Sequence, residues 1–325
     1  MMAGTEWIIA PELQPKSADY VYDLNRALSS VVGVRALVPE DAATADALGT
    51  ERMGHGVIIR ENGLILTIGY LITEAETVWL KLSDGRSVSG HVLAFDQETG
   101  FGLVQPLTRL GLPFLELGES AGAQVGDPVV VAGAGGRTHS VAAKIAAKQS
   151  FAGYWEYYLN EAIFTAPSHP NWGGTALIGS QGELLGIGSL QLERMRDDAK
   201  AEPINMMVPI DVLKPVFDDL LKFGRTNRPV RPWLGIYSTE IDDHIVIAGV
   251  AKRGPARRAE LKTGDVVLAV GDHEVRELAD FYRRVWSLGS AGVNVPLTIH
   301  REGDTFDVTI RSGERSQFLK QPNLH

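Results

Sequence analysis

A short apolar run, a tight glycine turn and a second short apolar run form the pattern that most restricts this chain. Gly56-Val57-Ile58-Ile59 is followed by Glu61-Asn62-Gly63 and then by Leu64-Ile65-Leu66-Thr67. Asn-Gly supplies the positive φ that a hairpin turn needs, so the two runs read as paired antiparallel strands. The pattern recurs. Val31–Leu37 reads as a strand, residues 77–82 alternate apolar and polar, Ser83-Asp84-Gly85 turns, and residues 87–94 return. A second series follows at residues 128–131, 140–150, 162–165, 175–178 and 184–190, with Ser180-Gln181-Gly182 as a turn. Two successive all-β blocks of similar length predict two small barrels. The 35 glycines fit a chain of short strands and tight turns.

Helical periodicity is scarce. Ser17 is a candidate cap for a short helix over residues 18–29, with Val21, Leu24 and Leu28 on one face. Residues 39–53 are acidic and rich in Ala and Thr, and read as a surface loop. The strongest helical pattern is residues 209–223, where Leu213, Val216, Phe217, Leu220 and Leu221 form one stripe. Asp211 is its expected N-cap and Gly224 its stop. Residues 225–232 are polar and basic with two prolines, the composition of a linker. The last block reads as strands at 234–238, 244–250, 265–270, 294–300 and 305–310. A short helix at 256–260 and another at 277–288 accompany them.

At 325 residues the chain exceeds one hydrophobic core, so more than one domain is expected. The divisions are an N-terminal extension (1–29), a double β-barrel with a C-terminal helix (30–224), a linker (225–232), a small α+β domain (233–313) and a tail (314–325). The fold class is therefore all-β dominated, a double β-barrel followed by a small α+β domain.

The order of these pieces resembles the HtrA (Deg) family, in which a trypsin-like double β-barrel precedes one or more PDZ domains. The hairpin from Gly56 to Thr67 is similar to the one leading to the family's catalytic His. Leu82-Ser83-Asp84-Gly85-Arg86 matches its next turn. The segment ending Gly182-Glu183-Leu184-Leu185-Gly186-Ile187 looks like the stretch after the nucleophile. Arg231-Pro232-Trp233-Leu234-Gly235-Ile236 and Gly264-Asp265-Val266-Val267 look like two PDZ elements.

Acyl transfer by a serine needs a base to take its proton and an acid to orient that base. The resemblance puts the base in Ile65-Leu66-Thr67-Ile68-Gly69-Tyr70, where Tyr70 stands at the His position. A phenol with pKa about 10 is not a base near neutrality. The orienting acid belongs in Asp96-Gln97-Glu98-Thr99-Gly100-Phe101-Gly102, where Gly100 stands for the carboxylate. The nucleophile belongs in Pro170-Asn171-Trp172-Gly173-Gly174, where Trp172 stands for the Ser. Pro170 replaces a glycine whose N–H helps build the oxyanion hole, and proline has no N–H. The expectation is a pseudoprotease with no catalytic residue. Two rivals stand beside it: a serine endopeptidase with a displaced or weak site, and a structural subunit whose PDZ domain does not bind.

The other clusters have plainer readings. Ser168-His169 reads as a polar loop. Tyr154-Trp155-Glu156-Tyr157-Tyr158 reads as a strand or hairpin with one face in the barrel core, with an apolar recognition surface as the sharper alternative. Gly133-Ala134-Gly135-Gly136 lacks the Lys-Ser/Thr pair of a phosphate loop and reads as an ordinary connection. The eight histidines show no metal-ligand spacing, and neither a metal nor another cofactor is expected.

A net charge of −9 disfavours nucleic acid and anionic membranes as partners. No apolar run is long enough to span a bilayer. The N-terminus has no signal-like pattern, so the expected location is the cytoplasm, or the periplasm if a leader precedes Met1. By resemblance, Arg231, Trp233, Leu234, Gly235 and Ile236 bind a peptide carboxylate, with protein or peptide C-termini as partners. The resemblance also implies a homo-oligomer, a trimer, or a hetero-oligomer with an active paralogue.

Overall fold

The turn at Asn62-Gly63 forms as its residues require. Gly63 takes φ +86°, and the Asn62 side chain accepts from the Leu64 N–H at 3.1 Å. Val57 then pairs with Leu66 and Ile58 with Ile65, in antiparallel register. The computed structural model describes residues 7–195 and 200–320. The first six residues of the extension and the last five of the tail lie outside the described residues.

The chain divides into two units. The first takes residues up to 149 and from 161 to 226. Strands β1 (Val31–Leu37), β2 (Glu51–Ile58), β3 (Ile65–Ile68), β4 (Thr77–Lys81), β5 (Ser87–Phe95) and β6 (Phe101–Pro106) close one barrel in the order β1-β2-β3-β6-β5-β4. A second barrel is closed by β7 (Pro128–Ala132), β8 (Ser140–Gly153), β9 (Tyr157–Ala166), β10 (Ala176–Ile178), β11 (Leu184–Met195) and β12 (Ala201–Pro209). Closure leaves no free sheet edge and turns alternate side chains inward. Val129, Val131, Val141, Ile163, Leu177 and Met207 are among the buried residues of the second barrel's core.

The second unit takes residues 150–160 and 227–320. Its sheet orders β13 (Ile236–Ile241), β14 (His244–Val250), β15 (Val266–Val270), β17 (Asn294–Arg301) and β18 (Asp304–Arg311), with β16 (His273–Glu274) beside β15. Its core gathers Ile236, Ile245, Ile247, Leu297 and Ile299 with Phe281 and Tyr282 of a helix at Leu278–Ser287.

Several sequence expectations change. The helix expected over 18–29 is α1 (Leu24–Ser29), capped by Asp23, whose carboxylate accepts from the Arg26 N–H at 3.0 Å. Ser17 caps nothing, and Val21 is 82% exposed. Leu24, Ala27 and Leu28 are the buried residues of α1, whereas Ser17–Asp19 forms only a separate 3-10 turn, so the α-helix starts at Leu24. The expected loop at 39–53 contains α2 (Ala45–Leu48) and the start of β2, because pairing of Leu37 with Glu51 overrides polar composition.

The helix expected over 209–223 shrinks to α3 (Phe217–Phe223). Pro215 has no N–H, and its ring clashes with the preceding turn, so the helix begins after it. Asp211 does not cap α3; its carboxylate accepts from the Ala121 N–H at 2.8 Å. Gly224 does end the helix, in the left-handed conformation at φ +68°. In the second unit the expected short helix at 256–260 is α4 (Pro255–Arg258), and the helix at 277–288 is α5 (Leu278–Ser287). Strands β6 and β12 complete the barrels although each contains proline, which hides a strand in sequence. The aromatic segment 154–158 does not face the barrel core. It sits at the tip of the β8–β9 hairpin, within the second unit, where Tyr158 packs on that unit's core.

Candidate functional site

Two places collect the residues singled out in the sequence. In the first unit, β3 ends at Ile68 and the chain enters a 3-10 turn, Gly69–Leu71, carrying Tyr70. The Gly69 N–H donates to the Gly100 carbonyl at 2.7 Å, which brings Gly100, just ahead of β6, against this turn. Gly100 lies at φ +81°, a conformation that glycine enters without strain.

Trp172 arrives from the loop before β10. Its carbonyl accepts from the Thr175 N–H at 3.1 Å and from the Thr175 hydroxyl at 2.9 Å. The Tyr70 hydroxyl donates to the Ser189 carbonyl at 2.9 Å. Burial raises the Tyr70 phenol well above its ordinary range. A Cβ on Gly173 would lie 2.7 Å from the Tyr70 oxygen, so the loop approaches the ring closely because residue 173 has no side chain. Tyr70, Gly100 and Trp172 are thus brought together. Pro170 is exposed and offers no main-chain donor.

His169 differs from the polar-loop expectation. It is fully buried, with its N–H bonded to Asn205 Oδ1 at 2.6 Å. Nδ1 accepts from the Asn171 N–H at 3.2 Å, which leaves Nε2 to donate to the His139 carbonyl at 3.0 Å. Both ring nitrogens are engaged with main chain, and burial lowers the pKa. His55 lies 5.8 Å away, ring to ring, and its Nδ1 accepts from the Ala134 N–H at 3.0 Å. Burial, then repulsion from His169, lowers its pKa to about 3. These are neutral core imidazoles. Hydroxyl–imidazole contacts occur at Thr138 with His139 (3.0 Å) and at Thr305 with His300 (3.2 Å), both exposed. Among the described residues neither imidazole is hydrogen-bonded to a carboxylate, so neither pair resembles a triad.

The second place is the loop entering β13. The N–H groups of Leu234, Gly235 and Ile236 all point at one carboxylate, that of Glu156. The distances are 2.9 Å to Oε2, and 2.7 Å and 3.0 Å to Oε1. Gly235 adopts φ +78°, and a Cβ there would lie 3.1 Å from Gly254 Cα, so both conformation and space call for glycine. The Ser238 N–H on β13 donates to the Tyr154 carbonyl at 2.9 Å. The Tyr282 hydroxyl donates to the Gly153 carbonyl at 2.8 Å, and Arg315 donates to the Trp155 carbonyl at 3.2 Å. Burial raises the Glu156 carboxyl to about 6, against the opposing pull of the three N–H groups and Arg315.

Of the five residues expected at this loop, Leu234, Gly235 and Ile236 supply the donors. Trp233 instead pairs its main chain with Gly313, and its ring lies 4.8 Å from that of Phe318. Arg231 stacks over the Trp286 ring at 4.2 Å, and the cation acting on Glu156 is Arg315. Glu156 was missed as a site residue. Its one sequence signal is a lone carboxylate among four aromatic residues.

Comparison with known proteins agrees with this architecture. A trypsin-like peptidase domain model matches residues 54–187 and a PDZ domain model matches residues 232–311. A "Probable periplasmic serine endoprotease DegP-like" of Halomonas elongata is 29% identical over 81% of this chain and 56% of its own length. The chain therefore spans little more than half the length of that relative. "Serine endoprotease DegS" of Salmonella typhimurium is 25% identical, over 90% of this chain and 86% of its own. Two solved structures share the fold. "HtrA-type protease AlgW with tripeptide" aligns at TM-score 0.53 and 22% identity, covering 95% of this chain and 99% of that one. A serine endoprotease from Yersinia pestis aligns at TM-score 0.52 and 23% identity, over 90% and 98% of the two chains. With a trypsin-like peptidase domain followed by a PDZ domain, and DegP and DegS among its relatives, the chain belongs to the HtrA family.

Proposed function

We propose that this HtrA-type protein binds protein C-termini through its PDZ domain and does not hydrolyse peptides by a serine mechanism. The observation that carries the reading is the Tyr70–Trp172 pair. The Tyr70 hydroxyl is spent on the Ser189 carbonyl, and the Trp172 loop approaches the Tyr70 ring so closely that a Cβ on Gly173 would lie 2.7 Å from its oxygen. Neither a protonated phenol nor an indole accepts a proton from a nucleophile near neutral pH, and the indole has no oxygen to acylate. Gly100 has no carboxylate to orient a base, and Pro170 removes an oxyanion donor. The protein then serves as adaptor, regulator or chaperone-like subunit, as a homo-oligomer or together with an active paralogue. The relatives named periplasmic favour that compartment over the cytoplasmic expectation. Among the described residues no helix is long and apolar enough to cross a membrane.

The names of the relatives favour a second reading, a serine endopeptidase. Its nucleophile and base would come from residues outside the expected motif positions. Incubation of the full chain with a fluorophosphonate probe and with casein separates the two. Absence of both labelling and cleavage supports the first reading. A labelled serine or measurable turnover by pure protein establishes the second. A third reading, a structural subunit with a non-binding PDZ domain, is favoured if diverse free C-termini fail to bind once the groove is open.

A further inference from the structure

Three consecutive main-chain N–H groups converging on a single carboxylate is the arrangement with which a loop at the head of a strand takes a peptide's C-terminus. In this chain the carboxylate is already supplied, by Glu156 at the tip of the β8–β9 hairpin. We propose that this tip is an internal ligand of the PDZ domain, its Glu156 carboxylate standing in for a terminal carboxylate, so that a protein C-terminus binds by displacing it.

Three observations carry the proposal. First, each Glu156 oxygen is held by main-chain donors, two on Oε1 and one on Oε2, which is how a loop recognises a carboxylate whatever side chain brings it. Second, the Tyr154 carbonyl accepts from the Ser238 N–H of β13, two residues along from the donor at Ile236. Tyr154 lies two residues before Glu156, so carboxylate and main chain advance along β13 in step, as an added peptide strand does. Third, the tip is held to the same unit at two further points: the Gly153 carbonyl accepts from the Tyr282 hydroxyl at 2.8 Å, and the Trp155 carbonyl accepts from Arg315 at 3.2 Å.

The displacing chain is defined by the contacts it takes over. It needs a free α-carboxylate for the three N–H groups. It needs an extended backbone whose third-from-last carbonyl reaches Ser238. An aromatic side chain at that third-from-last position would replace the Tyr154 ring, which lies 6.1 Å from that of Tyr237. This inference rests on the peptide-binding reading above, and the experiment tests the two separately.

The full chain and its Glu156→Gln and Glu156→Ala variants are compared by amide hydrogen exchange and by fluorescence polarisation. The probe is a fluorescein-labelled decapeptide library with tyrosine third from the end and a free carboxyl terminus. The same library as C-terminal amides is the control. Glu156→Gln keeps the side chain's shape and guards against loss of fold. The expected result is faster exchange at Leu234, Gly235 and Ile236 in both variants. Free-carboxylate binding should tighten about tenfold or more, since apparent affinity scales with the fraction of open groove, and the amides should not bind. Unchanged exchange at the loop, or equal affinity for the parent chain and Glu156→Ala, overturns the internal ligand. Faster exchange with no free-carboxylate peptide bound by any of the three chains overturns displacement, and with it the peptide-binding reading.

Discussion

The Tyr70 hydroxyl donates to the Ser189 carbonyl across 2.9 Å, joining two residues 119 positions apart in the chain. A base in the place of Tyr70 would have to stay free for substrate. The Tyr70 hydroxyl is satisfied internally, so it serves stability. Replacing Tyr70 by Phe leaves the buried Ser189 carbonyl without this partner. A loss of about 1–3 kcal/mol is expected from unsatisfying such groups. Urea unfolding of the variant measures it, and a change below a few tenths would show that water replaces the phenol at no cost.

On the proposed assignment of the triad and oxyanion positions, serine chemistry needs four changes together: Tyr70→His, Gly100→Asp, Trp172→Ser and Pro170→Gly. A variant with the first three but with Pro170 retained should turn over peptides about 10²–10³ times more slowly than the fourfold variant, the usual cost of one oxyanion donor. Gly100 adds a further obstacle, because at φ +81° an aspartate is strained. Both variants should unfold at lower urea than the parent chain. Equal kcat/KM for the two would place the oxyanion donors elsewhere.

His55 and His169 are neutral and buried in the folded chain, with both pKa values lowered. Unfolding exposes them, and near pH 6.5 they protonate. Their contribution to stability is therefore fully present above about pH 6.5 and is lost as pH falls. Each contributes a slope of at most about 1.4 kcal/mol per pH unit. Urea unfolding between pH 7.5 and pH 4.5 should show this loss, and His55→Gln should remove part of it. An unchanged profile in the variant would mean that other groups govern the acid limb.

Glu156 titrates in the opposite sense. Its docked carboxyl is raised to about 6 from 4.5, so protonation favours the docked hairpin. Docking gains as pH falls through 6 and is complete in this respect below about 4.5. The charged and phenolic groups around it are Arg315 and Tyr282, with Glu240 acting on Tyr282. Arginine and tyrosine do not titrate between pH 4.5 and 7.5. Peptides with ionised carboxylates should therefore bind about tenfold more weakly at pH 4.5 than at pH 7.5, and Glu156→Gln should flatten that dependence. Binding that strengthens on acidification would contradict the sign.

Much of the fold was legible in sequence because its strands are short, apolar and bounded by glycine turns. Gly63 and Gly224 hold the positive φ that their neighbours implied. Two strands that escaped notice, Phe101–Pro106 and Ala201–Pro209, carry prolines and are extended by their barrel neighbours; the two-residue His273–Glu274 is too short to show a pattern. The side chains present at Tyr70, Gly100, Trp172 and Pro170 are plain in the sequence; that they stand at catalytic positions belongs to the proposal. The loop donors Leu234, Gly235 and Ile236 were in the expected segment, whereas Arg231 was assigned a carboxylate and instead found an aromatic ring.

What the sequence could not indicate was the partner of that loop. Leu234 and Glu156 are separated by 78 residues along the chain and by 2.9 Å in space. Local preferences determine which segments become strands, turns and caps. A carboxylate meets three main-chain N–H groups only when a hairpin tip and a distant loop fold into one unit, and that pairing belongs to the tertiary structure alone.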